Sequence, residues 1–255
     1  MLKKRIIPLL LLSQGRMVKG KQFSQFRDTG DAVSASRIYN AQNADELIFL
    51  DIDANRVGSS FDILETTVKT VATECFMPLT VGGGIDSDTK IRRLLLAGAD
   101  KIAITTAAHT HANLINTAAK LYGRQCIVIG VDVRKENDDY VLYSHCATRK
   151  QSSSLENFVK DMDERGAGEF LLNSIDNDGM MSGYDLELIK RVKSYTNRPV
   201  IAAGGAGTFM HLVDAFTESH ADALACASLF HFGDNNPIRA RSYLLNKQIP
   251  MKLTK

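Results

Sequence analysis

In the stretch Pro78-Leu79-Thr80-Val81-Gly82-Gly83-Gly84-Ile85, a short apolar run ends directly in three consecutive glycines, and this pattern is the strongest indication of the fold. The arrangement returns in the second half of the chain, where the apolar run 199–203 leads into Gly204-Gly205-Ala206-Gly207. The two glycine pairs, Gly82-Gly83 and Gly204-Gly205, match at an offset of 122 residues. Residues around Glu46 and Glu169 repeat at an offset of 123. The sequence therefore predicts two similar halves.

Eight short apolar or β-branched runs recur along the chain, separated by longer amphipathic stretches such as 61–73 and 87–97. Near-continuous hydrophobicity is typical of strands that are covered on both faces, and the amphipathic stretches supply crossover helices. Eight such units predict a closed (β/α)₈ barrel, the TIM barrel. An open doubly wound sheet is the alternative, but its GxGxxG fingerprint is missing after the first run. The predicted strands are 5–11, 46–51, 78–81, 101–104, 126–132, 169–173, 199–203 and 223–227.

The composition bounds the size of the fold and the kinds of partner. A chain of 255 residues with 44% hydrophobic residues fits one α/β barrel, so we expect a single domain over residues 1–255. A net charge of +2, spread along the chain, gives no footprint for nucleic acid or an anionic membrane. Three cations precede the apolar run 6–12, as in a signal peptide, but polar residues end it, and we interpret it as a buried first strand. Four widely spaced cysteines fit reduced thiols in a cytoplasm.

Two glycine loops follow the third and seventh predicted strands, at the end of the barrel where active sites lie. Glycines let backbone N–H groups approach an anion, and the next helix adds its positive N-terminal end. A tight strand-to-helix turn explains either loop alone, but a matched pair with neighbouring hydroxyl residues favours phosphate binding. We therefore expect a ligand that is phosphorylated at both ends. The first cradle comprises Gly82, Gly83, Thr105 and Thr106, and the second comprises Gly204, Gly205, Ala227 and Ser228.

Several collinear segments together resemble the cyclase subunit of imidazole glycerol phosphate synthase, from histidine biosynthesis. The resemblance implies a barrel that forms a heterodimer with a glutaminase subunit and takes ammonia from it. It also implies that ammonia reacts with a doubly phosphorylated ribulosyl aminoimidazole carboxamide intermediate. The segments are Lys4-Arg5-Ile6-Ile7-Pro8, Gly15-Arg16-Met17-Val18-Lys19-Gly20, 44–52, 78–85, 97–101, 179–186 and 227–233.

The resembled family closes its imidazole ring with two aspartates, at the ends of the first and fifth strands. Asp132 matches the second of these positions, whereas Leu11 stands at the first. Leucine can neither donate nor accept a proton, and general acid–base catalysis typically contributes about 10² to 10⁴ in rate. The resemblance therefore implies a paralogue with weak or absent cyclase activity. Asp53 is a candidate substitute, but we expect it to be a solvated loop residue.

Further polar residues follow the first and sixth strands. Lys19 matches a family motif in a long polar segment, which we interpret as a mobile loop that folds a positive charge over the substrate. A solvated surface lysine is the alternative. Asp176, Asp178 and Gly179 are candidates to contact ligand hydroxyl groups, with simple turn formation as the alternative. The histidines have no metal-ligand spacing, so we predict no metal and no cofactor.

Charged residues begin four of the predicted strands, at the end opposite the glycine loops. Buried charges are costly unless they are paired, so we expect a ring of alternating sign. In the resembled family these positions form the gate through which ammonia enters the barrel. A stabilising ionic plug is the alternative, because this end of a barrel usually serves stability. The four residues are Arg5, Glu46, Lys101 and Glu169.

The retained gate and cradles, together with Leu11, favour an enzyme subunit that handles ammonia for another reaction. Some family members accompany glutaminase and amidotransferase proteins in bacterial surface polysaccharide pathways that make acetamidino sugars. We take this as the leading expectation. The first alternative is an authentic cyclase of histidine biosynthesis, and the second is a sugar-phosphate isomerase barrel that needs no partner.

Overall fold

The computed structural model describes residues 3–54 and 60–252, so both ends of the predicted domain lie outside the described residues. Among the described residues, no helix combines the length and apolarity needed to cross a membrane. The elements in chain order are β1 (Arg5–Ser13), β2 (Arg16–Lys21), β3 (Ser24–Asp31), α1 (Ala32–Ala41), β4 (Leu47–Asp51), α2 (Phe61–Ala72), β5 (Leu79–Gly82), α3 (Asp88–Ala97), β6 (Lys101–Ile104), α4 (Thr106–Thr110), α5 (Asn113–Tyr122), a 3₁₀ turn (Arg124–Cys126), β7 (Ile127–Glu136), β8 (Asp139–Ser144), β9 (Arg149–Ser154), α6 (Leu155–Arg165), β10 (Glu169–Ser174), α7 (Leu186–Tyr195), β11 (Val200–Ala203), α8 (Phe209–Thr217), β12 (Ala223–Cys226), α9 (Ser228–His231) and α10 (Pro237–Asn246).

Eight parallel strands close into a barrel in the order β1-β4-β5-β6-β7-β10-β11-β12, with β12 paired back to β1. Helices connect the successive barrel strands. The predicted (β/α)₈ barrel is confirmed, and the eight predicted runs are its eight strands. The first and fifth of them, β1 and β7, extend beyond their predicted ends.

The first strand shows why the apolar runs are nearly continuous. On β1, Ile6, Leu10 and Leu12 belong to the core between barrel and helices, whereas Leu9 and Leu11 point into the barrel. Because successive side chains of a strand alternate in direction, a strand that is buried on both faces needs apolar residues at every position. The interpretation of the run 6–12 as a buried strand is confirmed.

Two antiparallel ribbons, which the sequence did not predict, extend the barrel at the carboxyl ends of its strands. The first consists of β2 and β3 and pairs with β1, and the second consists of β8 and β9 and pairs with β7. β3 and β9 carry mostly exposed polar side chains, so they lack the apolar pattern of a strand. Backbone hydrogen bonds hold these strands. One ribbon occurs in each half of the chain, as the internal repeat requires.

Candidate functional site

A cavity of about 380 Å³ opens at the carboxyl ends of the barrel strands. Most of the residues predicted from sequence to bind the ligand or to take part in catalysis line it; Gly82 and Asp176 do not. Gly82 lies within β5, where an added Cβ would come 2.9 Å from the carbonyl oxygen of Ala103, and it does not reach the lining. The predicted residues that line the cavity are Lys19, Gly83, Thr105, Thr106, Asp132, Asp178, Gly179, Gly204, Gly205, Ala227 and Ser228.

Asp132 projects into this cavity from β7, beside Asn173 of β10, with which it is paired in register. It is half-buried, because the surrounding protein encloses it while the cavity leaves part of it open. Burial raises the pKa of Asp132 from 3.8 to about 7, with a further contribution from the negative charge of Asp178. A carboxyl group that titrates near neutral pH can either donate or accept a proton.

Leu11 faces Asp132 from the other side of the barrel, because β1 and β7 lie four strands apart in the closed order of eight. Its side chain is 8% exposed and packs in the apolar interior with Leu9 and Val18. The wall opposite Asp132 is therefore apolar at this position and offers no group that transfers a proton.

The position of Lys19 differs from both interpretations of the sequence. It lies on β2 rather than in a mobile loop, and it is buried rather than solvated. It is 3% exposed, and its Nζ lies 2.6 Å from Asp178 Oδ1. The N–H of Gln22 donates to the carbonyl oxygen of Asp178 at 2.8 Å, so the turn of the first ribbon rests on the loop after β10. An added Cβ on Gly179 would meet Gly20 O at 2.4 Å, which requires glycine at this close contact. The ribbon thus brings a cation to the cavity wall.

The aspartates after β4 also differ from the expectation. Asp53 is buried rather than solvated, and it accepts a hydrogen bond from the Ser13 hydroxyl. Asp51 lines the cavity instead, and burial raises its pKa. Asp176, which was a candidate ligand contact, accepts a hydrogen bond from the N–H of Lys135 at 2.8 Å and so ties β7 to the loop after β10.

The glycine loops have left-handed backbone, which favours glycine at these positions. φ is +125° at Gly83 and +88° at Gly204. An added Cβ would come 2.6 Å from the carbonyl oxygen of Asp51 at the first position, and 2.6 Å from that of Ser174 at the second. Turn formation thus explains part of the glycine requirement, while both loops line the same cavity.

At the opposite end, the four charged residues form one closed ring in which each cation contacts both carboxylates. Arg5 Nη1 lies 2.5 Å from Glu46 and 3.0 Å from Glu169. Lys101 Nζ lies 2.9 Å from Glu46 and 3.2 Å from Glu169. Burial alone would lower the pKa of Arg5, but the two carboxylates together raise it. The ring of alternating sign is the arrangement that burial permits.

Asn173 and His145 are among the cavity residues that escaped the sequence analysis. Asn173 is 9% exposed, and its Oδ1 accepts no hydrogen bond from any described residue. The available sequence signal was its place as the polar residue that ends the predicted apolar run 169–173. His145 lines the cavity from the turn of the second ribbon, and its sequence neighbourhood carries no comparable signal because the ribbon itself was not predicted. Within residues 3–54 and 60–252, no group of three His, Cys, Asp or Glu side chains is arranged to hold a metal ion.

Comparison with known proteins places these observations in a family. Residues 5–236 match the family model described as histidine biosynthesis protein. Over 254 residues, the chain is 45% identical to imidazole glycerol phosphate synthase subunit HisF of Chlorobaculum parvum (strain DSM 263 / NCIMB 8327), which covers 99% of this chain and 100% of that protein. This chain therefore belongs to the histidine biosynthesis protein family, as a relative of imidazole glycerol phosphate synthase subunit HisF.

Proposed function

We propose that this chain is the cyclase-type subunit of a glutamine-dependent complex, working as one barrel domain with a glutaminase subunit. In this proposal ammonia enters at the charged ring, and a doubly phosphorylated ligand lies in the cavity at the other end. The observation that carries the finer part of the proposal is Leu11, which faces Asp132 across a cavity that otherwise has the predicted polar groups.

The charged ring supports the ammonia entrance. Paired charges between strand beginnings close this mouth of the barrel, and Glu46 and Glu169 each bind two cations. A small shift of the Lys101 side chain would open one side of the ring while Arg5 kept both carboxylates paired. Apolar side chains, among them Ile48, Val128 and Leu171, fill the barrel interior between the ring and the cavity. In this proposal ammonia moves between these side chains and reaches the ligand without crossing bulk water.

The two glycine loops support the phosphorylated ligand. Gly83 with Thr105 and Thr106, and Gly204 with Ala227 and Ser228, line the same cavity from opposite halves of the barrel. Backbone N–H groups and hydroxyl groups suit phosphate oxygens, which are strong hydrogen-bond acceptors. Two anion sites in one cavity would hold the ends of a single elongated ligand and place its centre beside Asp132.

Leu11 supports weak or absent cyclase activity. Ring closure and cleavage need proton transfers, and Asp132 can perform one of them with its pKa near 7. The opposite wall holds an apolar side chain. We propose that ammonia passes to another acceptor, in sugar amidation for a surface polysaccharide, an assignment that comes from the family resemblance of the strand-one motif.

A second candidate is an authentic cyclase of histidine biosynthesis, and the full-length identity of 45% to HisF favours it. In that case another group would replace the missing aspartate. Asp51 is the best candidate, because it lines the cavity from β4, the neighbour of β1, and burial raises its pKa.

A turnover measurement separates the two candidates. The purified chain, given ammonium salt and the ribulosyl intermediate, should form imidazole glycerol phosphate about a hundredfold more slowly than HisF of Chlorobaculum parvum, because one acid–base group is missing. Leu11→Asp should raise the rate. Leu11→Asn, which has the same shape and no proton to transfer, is the matched control and should not. A full rate with Leu11 in place would favour the histidine cyclase. Equal rates for the two variants would show that Leu11 is not the cause of a slow wild-type rate.

The ammonia entrance needs its own test, with the glutaminase that co-purifies from the source cell. Lys101→Met should lower glutamine-dependent turnover of the complex while turnover with added ammonium salt persists, since only transfer between the subunits is damaged. Lys160→Met is the control, because Lys160 forms an exposed pair with Glu156 on α6. If no glutaminase binds, or if Lys101→Met changes only the free energy of unfolding, the ring is an ionic plug.

A further inference from the structure

The turn of the second ribbon folds over the mouth of the cavity, on the side of the first phosphate cradle. Cys146 Sγ lies 3.2 Å from the carbonyl oxygen of Ile52, after β4. The N–H of His145 donates to Thr106 Oγ1 at 3.3 Å. His145, Cys146, Ile52 and Thr106 all line the cavity. A residue of the second half of the chain is thus held against the cradle of the first half.

Hydrogen bonds within the ribbon favour one tautomer of His145. Gln151 Nε2 donates to Ser144 Oγ at 2.8 Å, and the same oxygen lies 2.8 Å from His145 Nδ1. Ser144 is fully buried, so its hydroxyl proton needs an acceptor, and His145 Nδ1 is in reach. With Nδ1 accepting, the neutral ring carries its proton on Nε2. Burial and the nearby Arg149 cation lower the pKa of His145, which favours the neutral ring.

The contact with the backbone of His145 also orients a group of the cradle. Thr106 Oγ1 accepts from the His145 N–H, so the hydroxyl proton of Thr106 remains available to donate. The side chain and the main chain of one residue therefore both favour donors on this wall of the cavity. Several donors on one wall of a cavity suit an anion with several acceptor oxygens.

We propose that His145 is a further ligand-binding residue, whose Nε2–H donates to an oxygen of a phosphate held by Gly83, Thr105 and Thr106. This inference rests on the proposed phosphate cradles and adds a specific residue to one of them. His145 would favour a phosphate monoester at this end of the ligand, because the ring adds a donor beyond those of the glycine loop and the hydroxyl groups.

Titration with inorganic phosphate tests the proposal, followed by NMR of the backbone amides of both cradles in one sample. In the intact chain both cradles should respond. His145→Ala should weaken binding at Gly83 and Gly84 by about tenfold or more, since a hydrogen bond to a charged group is lost. Binding at Gly204 and Gly205 should stay unchanged and so report an intact barrel.

Two conservative variants locate the nitrogen that matters. The amide nitrogen of His145→Gln reaches the position of Nε2 and should restore most of the affinity, whereas the shorter side chain of His145→Asn should not. A ring ¹⁵N spectrum of the wild-type chain should show the proton of His145 on Nε2.

Different outcomes refute different parts of the reasoning. Unchanged affinity at the first cradle in His145→Ala, equal affinities for the Gln and Asn variants, or a proton on Nδ1 would overturn the role of His145 and leave the cradles standing. Wild-type protein that binds phosphate at neither cradle would overturn the proposed ligand class and, with it, this inference.

Discussion

Replacing Asp132 by asparagine should stabilise the protein at neutral and alkaline pH, although it removes a group proposed to take part in catalysis. Burial raises the pKa of this carboxyl from 3.8 to about 7. Between these values the folded chain keeps a proton that the unfolded chain releases. The free energy of unfolding of the wild type therefore falls as the pH rises through this window, and the loss is complete above the folded pKa.

The size of the effect follows from the two pKa values. Their difference corresponds to about 4 kcal/mol, at about 1.4 kcal/mol for each tenfold change in the ionisation constant. This figure is an upper value, because cavity water also solvates the ionised carboxylate. The advantage of Asp132→Asn over the wild type should therefore be close to zero near about pH 4 and reach up to about 4 kcal/mol near about pH 8.

Urea denaturation of both proteins across this pH range measures the difference directly. Asp138→Asn is the matched control, because the Asp138 side chain is 99% exposed, and its curve should run parallel to that of the wild type. Parallel curves for Asp132→Asn and the wild type would refute the reasoning. They would mean that Asp132 is ionised in the folded chain at no cost and cannot act as an acid at neutral pH.

Two other changes test the cavity wall. Asp178→Asn should lower the free energy of unfolding by about 3–5 kcal/mol in urea denaturation, because the buried ammonium of Lys19 loses its carboxylate. Lys19→Met combined with Asp178→Leu should recover much of this loss. Equal losses in the single and double variants would contradict a buried charge penalty. Gly130→Ala should weaken phosphate binding at the first cradle, because the new Cβ would come 2.0 Å from Thr105 Oγ1 and displace it. Gly233→Ala, with no atom within 4 Å of the new Cβ, is the control, and equal phosphate affinities in NMR titrations of both variants would count against a role for Thr105.

The barrel fold, and the end of the barrel at which each candidate residue lies, could be predicted from the sequence. The reason is local, since a run such as 6–12 that is apolar at every position must be a strand covered on both faces. In a parallel barrel all strands point the same way. Arg5 begins the predicted run 5–11 and Asp132 ends the predicted run 126–132, so the two must lie at opposite ends of the barrel, whatever the helices do.

Which of these residues contact each other across the mouth of the barrel could be seen only in the tertiary structure. Lys19 pairs with Asp178, 159 residues away, and the backbone of His145 binds Thr106, 39 residues away. Both contacts depend on ribbons whose exposed polar strands are held by backbone hydrogen bonds, and such strands leave no hydrophobic period in the sequence. Periodicity records which face of an element is buried, whereas the partner of a side chain at the end of a ribbon depends on where the folded ribbon comes to rest.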